Sequence, residues 1–504
     1  MRSVWLVVLS AVLAGLAHPP TGFWWTLLFA PAVLVRFLIG KTMRAGFGWA
    51  WLWWTVYALT LGYSLGYLIH LRTGSYVLSL LGLVLVAGLS GCFAGLAGAV
   101  ATRMPVSLWG ALGIAGIWSL CQWVRGLGDF AFVWGQMAPA LYSVPVLVQV
   151  ADLIGAWGVE FLLLFWNGLF ALLWEWRGRS WIIWGAGLIL WMGWLGYGVF
   201  ALSREQGVAP SATVRVAIVQ PNVNLARAYT PMEWEPIRAH IESLVLRAGR
   251  LHPHLLVLPE VMEPYPMPST QFAFERWRAL ARDTGAVILL GGYREVNRET
   301  DQWANSAHLF LPDGRWHYHD KVQLVPLGEV VPFRRFLPFL GFFGVVAEDL
   351  SGGKRLEPLP ADAMRIGAVI CMESTYPWIA RRLVARGANL LWVGSNESWF
   401  GRTPALEQHL AFSVLRAVET RRWMVRSAPE GYSAFIAPTG YIQRVVPFMP
   451  TVALQTVALR EEQSLYVRYG DWLLVVGGVC TVLAWVRNEQ RRARSGISDP
   501  QEAT

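Results

Sequence analysis

The sequence predicts a polytopic α-helical membrane domain carrying one large α/β domain. Three observations predict it. Of the 504 residues, 55% are hydrophobic and only 15% charged, with 29 tryptophans, more apolar material than a soluble chain of this length buries. The apolar residues concentrate before residue 203 and again at Trp472–Val486. Between them, short apolar runs alternate with stretches of helical spacing, the pattern of a sheet covered on both faces.

In chain order, the candidate spans are Val4–Ala17, Phe23–Ile39, Phe47–Ile69, Tyr76–Ala101, Leu108–Val124, Val159–Trp174, Trp181–Ala201 and Trp472–Val486. Several fall short of the ~20 residues a straight crossing prefers. Alternate loops carry Lys41 and Arg44, Arg103, Arg177 and Arg179, then the tail Arg487, Arg491, Arg492 and Arg494; the opposite loops carry only Arg72 and Arg125. The positive-inside rule puts the first set in the cytoplasm and the large segment after Ser203 on the outer face. Arg2, a short apolar run and Gly15-Leu16-Ala17 also fit a cleaved signal peptide, which would leave that sidedness unchanged. Between the fifth and sixth spans, Arg125–Ala156 carries Phe130, Phe132, Trp134 and Tyr142, as a segment at the outer interface would; a plain re-entrant connector suits it equally.

The expected organisation is a membrane domain over 1–203 with about seven helices, an extracytoplasmic α/β domain over 204–469, a last span over 470–487 and a basic tail over 488–504. Within the α/β domain, strands are expected at Val214–Val223, Leu255–Glu260, Ala286–Gly292, Asn305–Leu311, Arg365–Cys371 and Asn389–Ser395. Helices are expected at Glu233–Leu251, Gln271–Thr284, Pro377–Arg386 and Leu406–Thr420. No phosphate-cradling glycine loop appears. His252, His254, His317, His319 and His409 show no metal-ligand spacing with Cys371, so no metal and no cofactor is expected.

Three residues in this domain stand out. Glu260 ends an apolar strand, where a carboxylate needs a partner or a task. Lys321 opens DKVQLVPLGEVVPFR, which also holds Glu329. Cys371 ends the run GAVIC, followed by Met372 and Glu373, and it is the only cysteine outside the spans, since Cys92, Cys121 and Cys480 lie within them. Strand ends on one edge of an α/β sheet are where sites assemble. A carboxylate to take a thiol proton, a thiolate to attack a carbonyl and an ammonium to neutralise the oxyanion make an acyl-transfer apparatus. The same spacing also suits a buried Glu–Lys ion pair beside an inert cysteine.

LLVLPE, the lysine before LVPLGEVVP and the cysteine of ICMES resemble the Glu–Lys–Cys triad of the nitrilase, or carbon–nitrogen hydrolase, superfamily. With membrane spans on both sides, and through Asn396-Glu397-Ser398-Trp399-Phe400-Gly401 and Arg416-Ala417-Val418-Glu419, nearly the whole chain resembles the membrane-embedded N-acyltransferases of that superfamily. The resemblance implies a four-layer αββα sandwich on a helical membrane domain. It implies Glu260 as general base, Lys321 as oxyanion stabiliser and Cys371 as nucleophile, with Glu329 and Glu373 in support. It further implies a ping-pong reaction through a Cys371 thioester. The acyl donor would be a phospholipid, giving its sn-1 chain, and the acceptor the α-amino group of a diacylated apolipoprotein. A monomer in the bacterial inner membrane, with no nucleic-acid partner, is the corresponding expectation. Leu327, Met372 and Pro429-Glu430-Gly431 depart from the family's usual residues without touching the triad.

A lipid substrate asks for a greasy approach to the thiol. In Pro332–Val346, Phe342 and Phe343 could dip into the outer leaflet while Arg334 and Arg335 meet phosphates, although the same residues could be core. Trp399 and Phe400 suit the wall or rim of an acyl pocket. The alternative of another class with the same triad is a membrane-anchored amidase or lipid hydrolase with water as acceptor, for which one span would serve as anchor. A transporter with an outer binding domain would carry more ionisable residues in its spans than Arg36, the clearest one here.

Overall fold

The computed structural model describes residues 2–175, 180–207, 212–227, 229–334, 336 and 349–495. The chain forms two compact units, Met1–Ser203 with Tyr469–Thr504, and Arg204–Arg468.

In the first unit, four helices among the described residues are long and apolar enough to cross a membrane: Tyr76–Ala101, Ala151–Leu172, Trp181–Glu205 and Trp472–Arg494. Ser3–Gly15 and Trp24–Leu38 are shorter apolar helical stretches. The expected Phe47–Ile69 span is two helices, Met43–Leu61 and Tyr63–Thr73, parted at Gly62, a weak helix former whose own N–H still reaches Ala58. Small residues allow close helix packing. A Cβ on Gly98 would stand 2.3 Å from that of Ala50 and one on Gly116 2.2 Å from the Gly477 carbonyl oxygen.

Of the two readings offered for the segment after Arg125, the buried course of its backbone fits the re-entrant connector. Phe130 points outward and Phe132 and Trp134 are half-buried, but Ala131, Val133 and Met137–Leu141 are buried inside this unit. The cause is polar. Arg125 donates to the carbonyls of Phe132 and of Trp134 (3.0 Å), Tyr57 donates to that of Gly135 (2.9 Å), and Glu160 accepts from Met137 N–H (3.1 Å). Non-helical backbone at membrane depth persists only where protein satisfies its polar groups. Helix Ala151–Leu172 then begins inside this region and bends at Gly155, where φ is 70°.

The second unit is a four-layer αββα sandwich. Its strands are β1 Ala212–Gln220, β2 Leu255–Val257, β3 Glu263–Met267, β4 Val287–Asn297, β5 Gln302–Phe310, β6 Trp316–Asp320, β7 Leu359–Ala361, β8 Met364–Ile370, β9 Leu390–Gly394, β10 Met424–Ser427, β11 Ala434–Ile436, β12 Ile442–Arg444 and β13 Thr451–Leu459. One sheet runs β13-β1-β2-β4-β5-β6 with β3 beside β4; the other runs β12-β11-β10-β9-β8-β7. β1, β2 and β4 are parallel, as are β8, β9 and β10. Val216, Ile218, Val257 and Leu289 of one sheet meet Ile366, Ala368, Ile370 and Trp392 of the other in a common core. On the opposite face of the first sheet, Ala217, Val219, Leu256 and Ile288 pack against helices Pro231–Gly249 and Gln271–Thr284. Every strand buried on both faces is a near-continuous apolar run, which is why the runs were legible.

Candidate active site

Three strand ends converge on one buried cluster. Glu260 follows β2, where the chain leaves the sheet at Pro259; the left-handed Val261 (φ 53°) turns it, and Gly291 N–H donates to the Pro259 carbonyl (2.9 Å). Gly291 admits no side chain here, because a Cβ would stand 2.5 Å from the Glu260 Cα. Lys321 follows β6, its N–H donating to the Asn305 carbonyl (2.8 Å). Cys371 follows β8 and adopts φ 53°, an uncommon conformation for a residue with a Cβ.

The lysine is the hub. Its ammonium donates to Glu260 Oε1 (3.3 Å) and Glu329 Oε1 (2.9 Å), and its side chain is 1% exposed. Asn305 Nδ2 bridges the same two oxygens, at 2.7 Å from Glu260 and 2.8 Å from Glu329. Backbone N–H groups complete the carboxylates: Asn396 N–H donates to Glu260 Oε2 (2.7 Å) and Val325 N–H to Glu329 Oε2 (3.0 Å). Burial opposes the charge on Lys321, yet Glu329 and then Glu260 outweigh it and hold the ammonium well above the ordinary lysine range.

Cys371 lies in the field of both Glu260 and Lys321, and Ser395 Oγ donates to its Sγ (3.6 Å). Burial, and secondarily the Glu260 charge, push the thiol up to about 12, against the downward pull of Lys321. At pH 7 such a thiol is ionised to roughly one part in 10⁵. At rest Cys371 is therefore a thiol, and any attack by sulfur needs proton removal at the same moment.

Glu373 ties the elements together. Its Oε1 accepts from Val322 N–H (2.6 Å) and Gln323 N–H (3.0 Å), just beyond the lysine, and its Oε2 from Ile370 N–H (2.8 Å), just before the cysteine. Behind the cysteine, a second buried set joins Ser374, Glu397, His409 and Arg426.

The structure thus brings together Glu260, Lys321, Cys371, Glu329 and Glu373. Phe400 packs its ring edge-on against His409 (centroids 6.1 Å apart), and Trp399 is half-buried in the same 3₁₀ turn. Arg334 pairs with Asp349 (2.7 Å). Arg335, Phe342 and Phe343 lie outside the described residues. Leu327 takes a left-handed φ of 61°, and its N–H donates to the Val330 carbonyl (2.7 Å). Sequence reasoning passed over Asn305, Ser395, Asn396 and His409. Asn305 lies within β5, and Asn396 stands two residues beyond β9. His409 was weighed only as a metal ligand, and among the described residues no cluster suited to a metal ion occurs.

An αββα sandwich with carboxylates, an ammonium and a thiol at its strand ends defines a carbon–nitrogen hydrolase domain, and residues 215–465 match the carbon-nitrogen hydrolase family. Residues 10–169 match the N-terminal domain of apolipoprotein N-acyltransferase. The chain is 32% identical over 385 residues to the apolipoprotein N-acyltransferase of Geobacter metallireducens, covering 74% of this chain and 73% of that protein. Against the apolipoprotein N-acyltransferase of Allorhizobium ampelinum it is 30% identical over 473 residues, covering 88% and 87% respectively. The chain belongs to the apolipoprotein N-acyltransferase family. Among solved structures, a carbon-nitrogen hydrolase from Helicobacter pylori G27 aligns over 52% of this chain and 94% of its own, with 16% identity and a TM-score of 0.38.

Proposed function

We propose that the chain N-acylates lipoproteins by a ping-pong cycle on Glu260, Lys321 and Cys371. In the first half, Cys371 Sγ attacks the sn-1 ester carbonyl of a phospholipid as Glu260 takes the thiol proton. Lys321 Nζ stabilises the oxyanion, and collapse expels the glycerol oxygen, which takes the proton from Glu260 and leaves as lysophospholipid. The acyl chain stays on Cys371 as a thioester. In the second half, the α-amine of a diacylated apolipoprotein attacks the thioester, Glu260 accepts the amine proton and passes it to the departing sulfur, and an amide is formed.

The observation that carries this reading is the excess of negative charge around Lys321. Two carboxylates share one ammonium. Protonating Glu260 during the reaction therefore leaves Lys321 still neutralised by Glu329, so the base can cycle without stranding a buried cation. A structural ion pair needs no second carboxylate. Glu329 and Glu373 serve as supports of the triad, Trp399 and Phe400 as part of the acyl-chain wall, and the stretch holding Arg334, Arg335, Phe342 and Phe343 as its lipid-facing approach. The setting is a monomer in the bacterial inner membrane, with the 204–469 domain on the outer side.

The test supplies phosphatidylethanolamine and a diacylated lipopeptide to the purified protein. The lipopeptide with a free α-amine should gain one acyl chain by mass, and its N-acetylated form none. Release of free fatty acid at the same rate with or without the lipopeptide would instead identify a lipid hydrolase.

A further inference from the structure

Cys371 holds a left-handed backbone that a residue with a side chain adopts only under constraint. The constraint is visible on its carbonyl. His409 Nε2 stands 3.1 Å from the Cys371 oxygen and 2.9 Å from Ser374 Oγ, and Ser374 Oγ itself donates to that oxygen (2.9 Å). His409 and Ser374 are both 0% exposed. Helix Ala405–Thr420 carries His409, so the constraint reaches the nucleophile from a different layer of the sandwich.

The other side of the imidazole decides what Nε2 can do. Arg426, fully buried, donates to Glu397 Oε1 and stands 2.9 Å from His409 Nδ1. A guanidinium can only donate, so Nδ1 accepts. A hydrogen on Nδ1 aimed at Glu397 Oε1 (3.2 Å) would put two hydrogens between Nδ1 and the guanidinium. The ring proton therefore sits on Nε2, aimed at the Cys371 carbonyl and Ser374. Burial, and then the Arg426 charge, hold His409 below the ordinary histidine range, consistent with one ring proton. Glu397 is completed by Tyr432 N–H (3.0 Å), and a Cβ on Gly431 would stand 2.3 Å from Glu397 Oε2, so the loop before Tyr432 needs its glycine to reach that carboxylate.

We infer that His409 is a positioning residue for the nucleophile: with its tautomer set by Arg426, it and Ser374 clamp the Cys371 carbonyl and hold the left-handed turn that aims Sγ at the acyl carbonyl. His409 does not reach the thiol and takes no proton from it. The inference rests on Cys371 being the acyl-carrying nucleophile, and adds that the thiol's aim is imposed from behind by a buried polar chain running Glu397–Arg426–His409–Ser374. Misaligning a reacting atom by about 1 Å costs on the order of 10²-fold, so the clamp should be kinetically conspicuous.

The experiment uses the full-length protein in detergent, with phosphatidylethanolamine as acyl donor, and follows acyl-Cys371 formation by intact mass and Cys371 alkylation by iodoacetamide. His409→Leu fills the volume without a donor and should slow acylation by about tenfold to a hundredfold, with KM for the phospholipid unchanged. The alkylation ratio of wild type to variant should stay constant from about pH 6 to about pH 9, because no titrating partner of the thiol has been removed. His409→Gln, which keeps an N–H donor, should recover most of the rate, a rescue that mere space-filling does not predict. Wild-type rates in His409→Leu, or His409→Gln no better than His409→Leu, would overturn the inference. Should His409→Leu not fold, Ser374→Ala decides: a several-fold loss at unchanged KM supports the clamp, and full activity removes it. The two levels separate cleanly. Full transfer after complete alkylation of Cys371 would sink the nucleophile itself, whereas a fast His409→Leu in a protein that still needs Cys371 would sink only the clamp.

Discussion

In the membrane unit, Arg125 and Glu160 are buried within each other's field; Arg125 donates to the carbonyls of Phe132 and Trp134 and to Gln122 Oε1 (2.8 Å), and Glu160 accepts from Met137 N–H. In the other unit Lys321 is buried as deeply, but its bonds go to two carboxylate side chains, with a thiol in the same field. One cluster carries one cation and one anion and holds an irregular segment in place. The other carries one lysine, two carboxyl side chains and a thiol on left-handed backbone. Buried charge that is balanced and ties down a neighbouring segment reads as scaffold. Buried charge that is unbalanced and set beside a thiol reads as chemistry.

That contrast can be broken most severely at the thiol and its base. Cys371→Ala should abolish acyl transfer, while Cys92→Ala, Cys121→Ala and Cys480→Ala are tolerated, as measured by acyl gain on the lipopeptide. Glu260→Gln should lower transfer by about 10³-fold or more if the proposed cycle holds, since it removes the base that cycle uses. It should also act in an opposite sense on the thiol. The Glu260 charge raises the Cys371 pKa and Lys321 lowers it, so neutralising Glu260 moves the thiol down from about 12. Iodoacetamide should therefore titrate Cys371 at lower pH in Glu260→Gln than in wild type; an upward shift would contradict the assigned field.

Lys321→Met comes next, with a loss of about 10²- to 10³-fold in kcat, the usual size of removing one oxyanion donor. It also leaves Glu260 and Glu329 facing each other, so the fold should weaken measurably in a thermal melt. A variant that melts early yet turns over normally would reduce the site to a structural ion pair.

Arg125→Met sharpens the comparison from the scaffold side. It leaves Glu160 buried without its counter-charge and strips donors from two carbonyls, and should destabilise the protein by about 3–5 kcal/mol. In the fraction that remains folded, the alkylation rate of Cys371 should match wild type. A slowed thiol in fully folded Arg125→Met would show that the two clusters are not functionally separate.

The smallest effect is expected at Glu373. Burial pushes its carboxyl up to about 7, against three backbone N–H donors that favour the charged form. Its folded pKa exceeds its unfolded one, so its stabilising contribution is complete below the unfolded value and is lost as pH rises through about 7. Wild-type denaturation midpoints should thus fall from about pH 4.5 to about pH 7 and level off above, and Glu373→Gln, which does not ionise, should show a flatter profile. It should also be less stable by about 1–3 kcal/mol, having lost an acceptor for Ile370 N–H.

The comparison also separates what was legible in the sequence from what was not. Glu260, Lys321 and Cys371 stood out because each breaks an apolar pattern at a strand end, and the sandwich was readable because strands buried on both faces are continuous apolar runs. Arg125 and Glu160 were not readable as a pair. Arg125 looked like an isolated loop cation, and Glu160 fell inside an apolar run whose partner lies 35 positions earlier. Hydropathy reports how greasy a stretch is and says nothing of what its few polar atoms bond. The break at Gly62 was missed for the same reason. His409 was invisible because its role depends on a carbonyl 38 residues away, and backbone leaves no mark on side-chain spacing.

The central claim is that the buried thiol carries the acyl chain between two substrates, and intact-protein mass over time tests it most directly. Supplied with phosphatidylethanolamine alone, the protein should gain the mass of one acyl chain on Cys371 and keep it. Adding a diacylated lipopeptide with a free α-amine should discharge the adduct as the lipopeptide gains the same mass. Transfer to the lipopeptide with no acyl-Cys371 at any time, or an adduct that the amine leaves untouched, would contradict it.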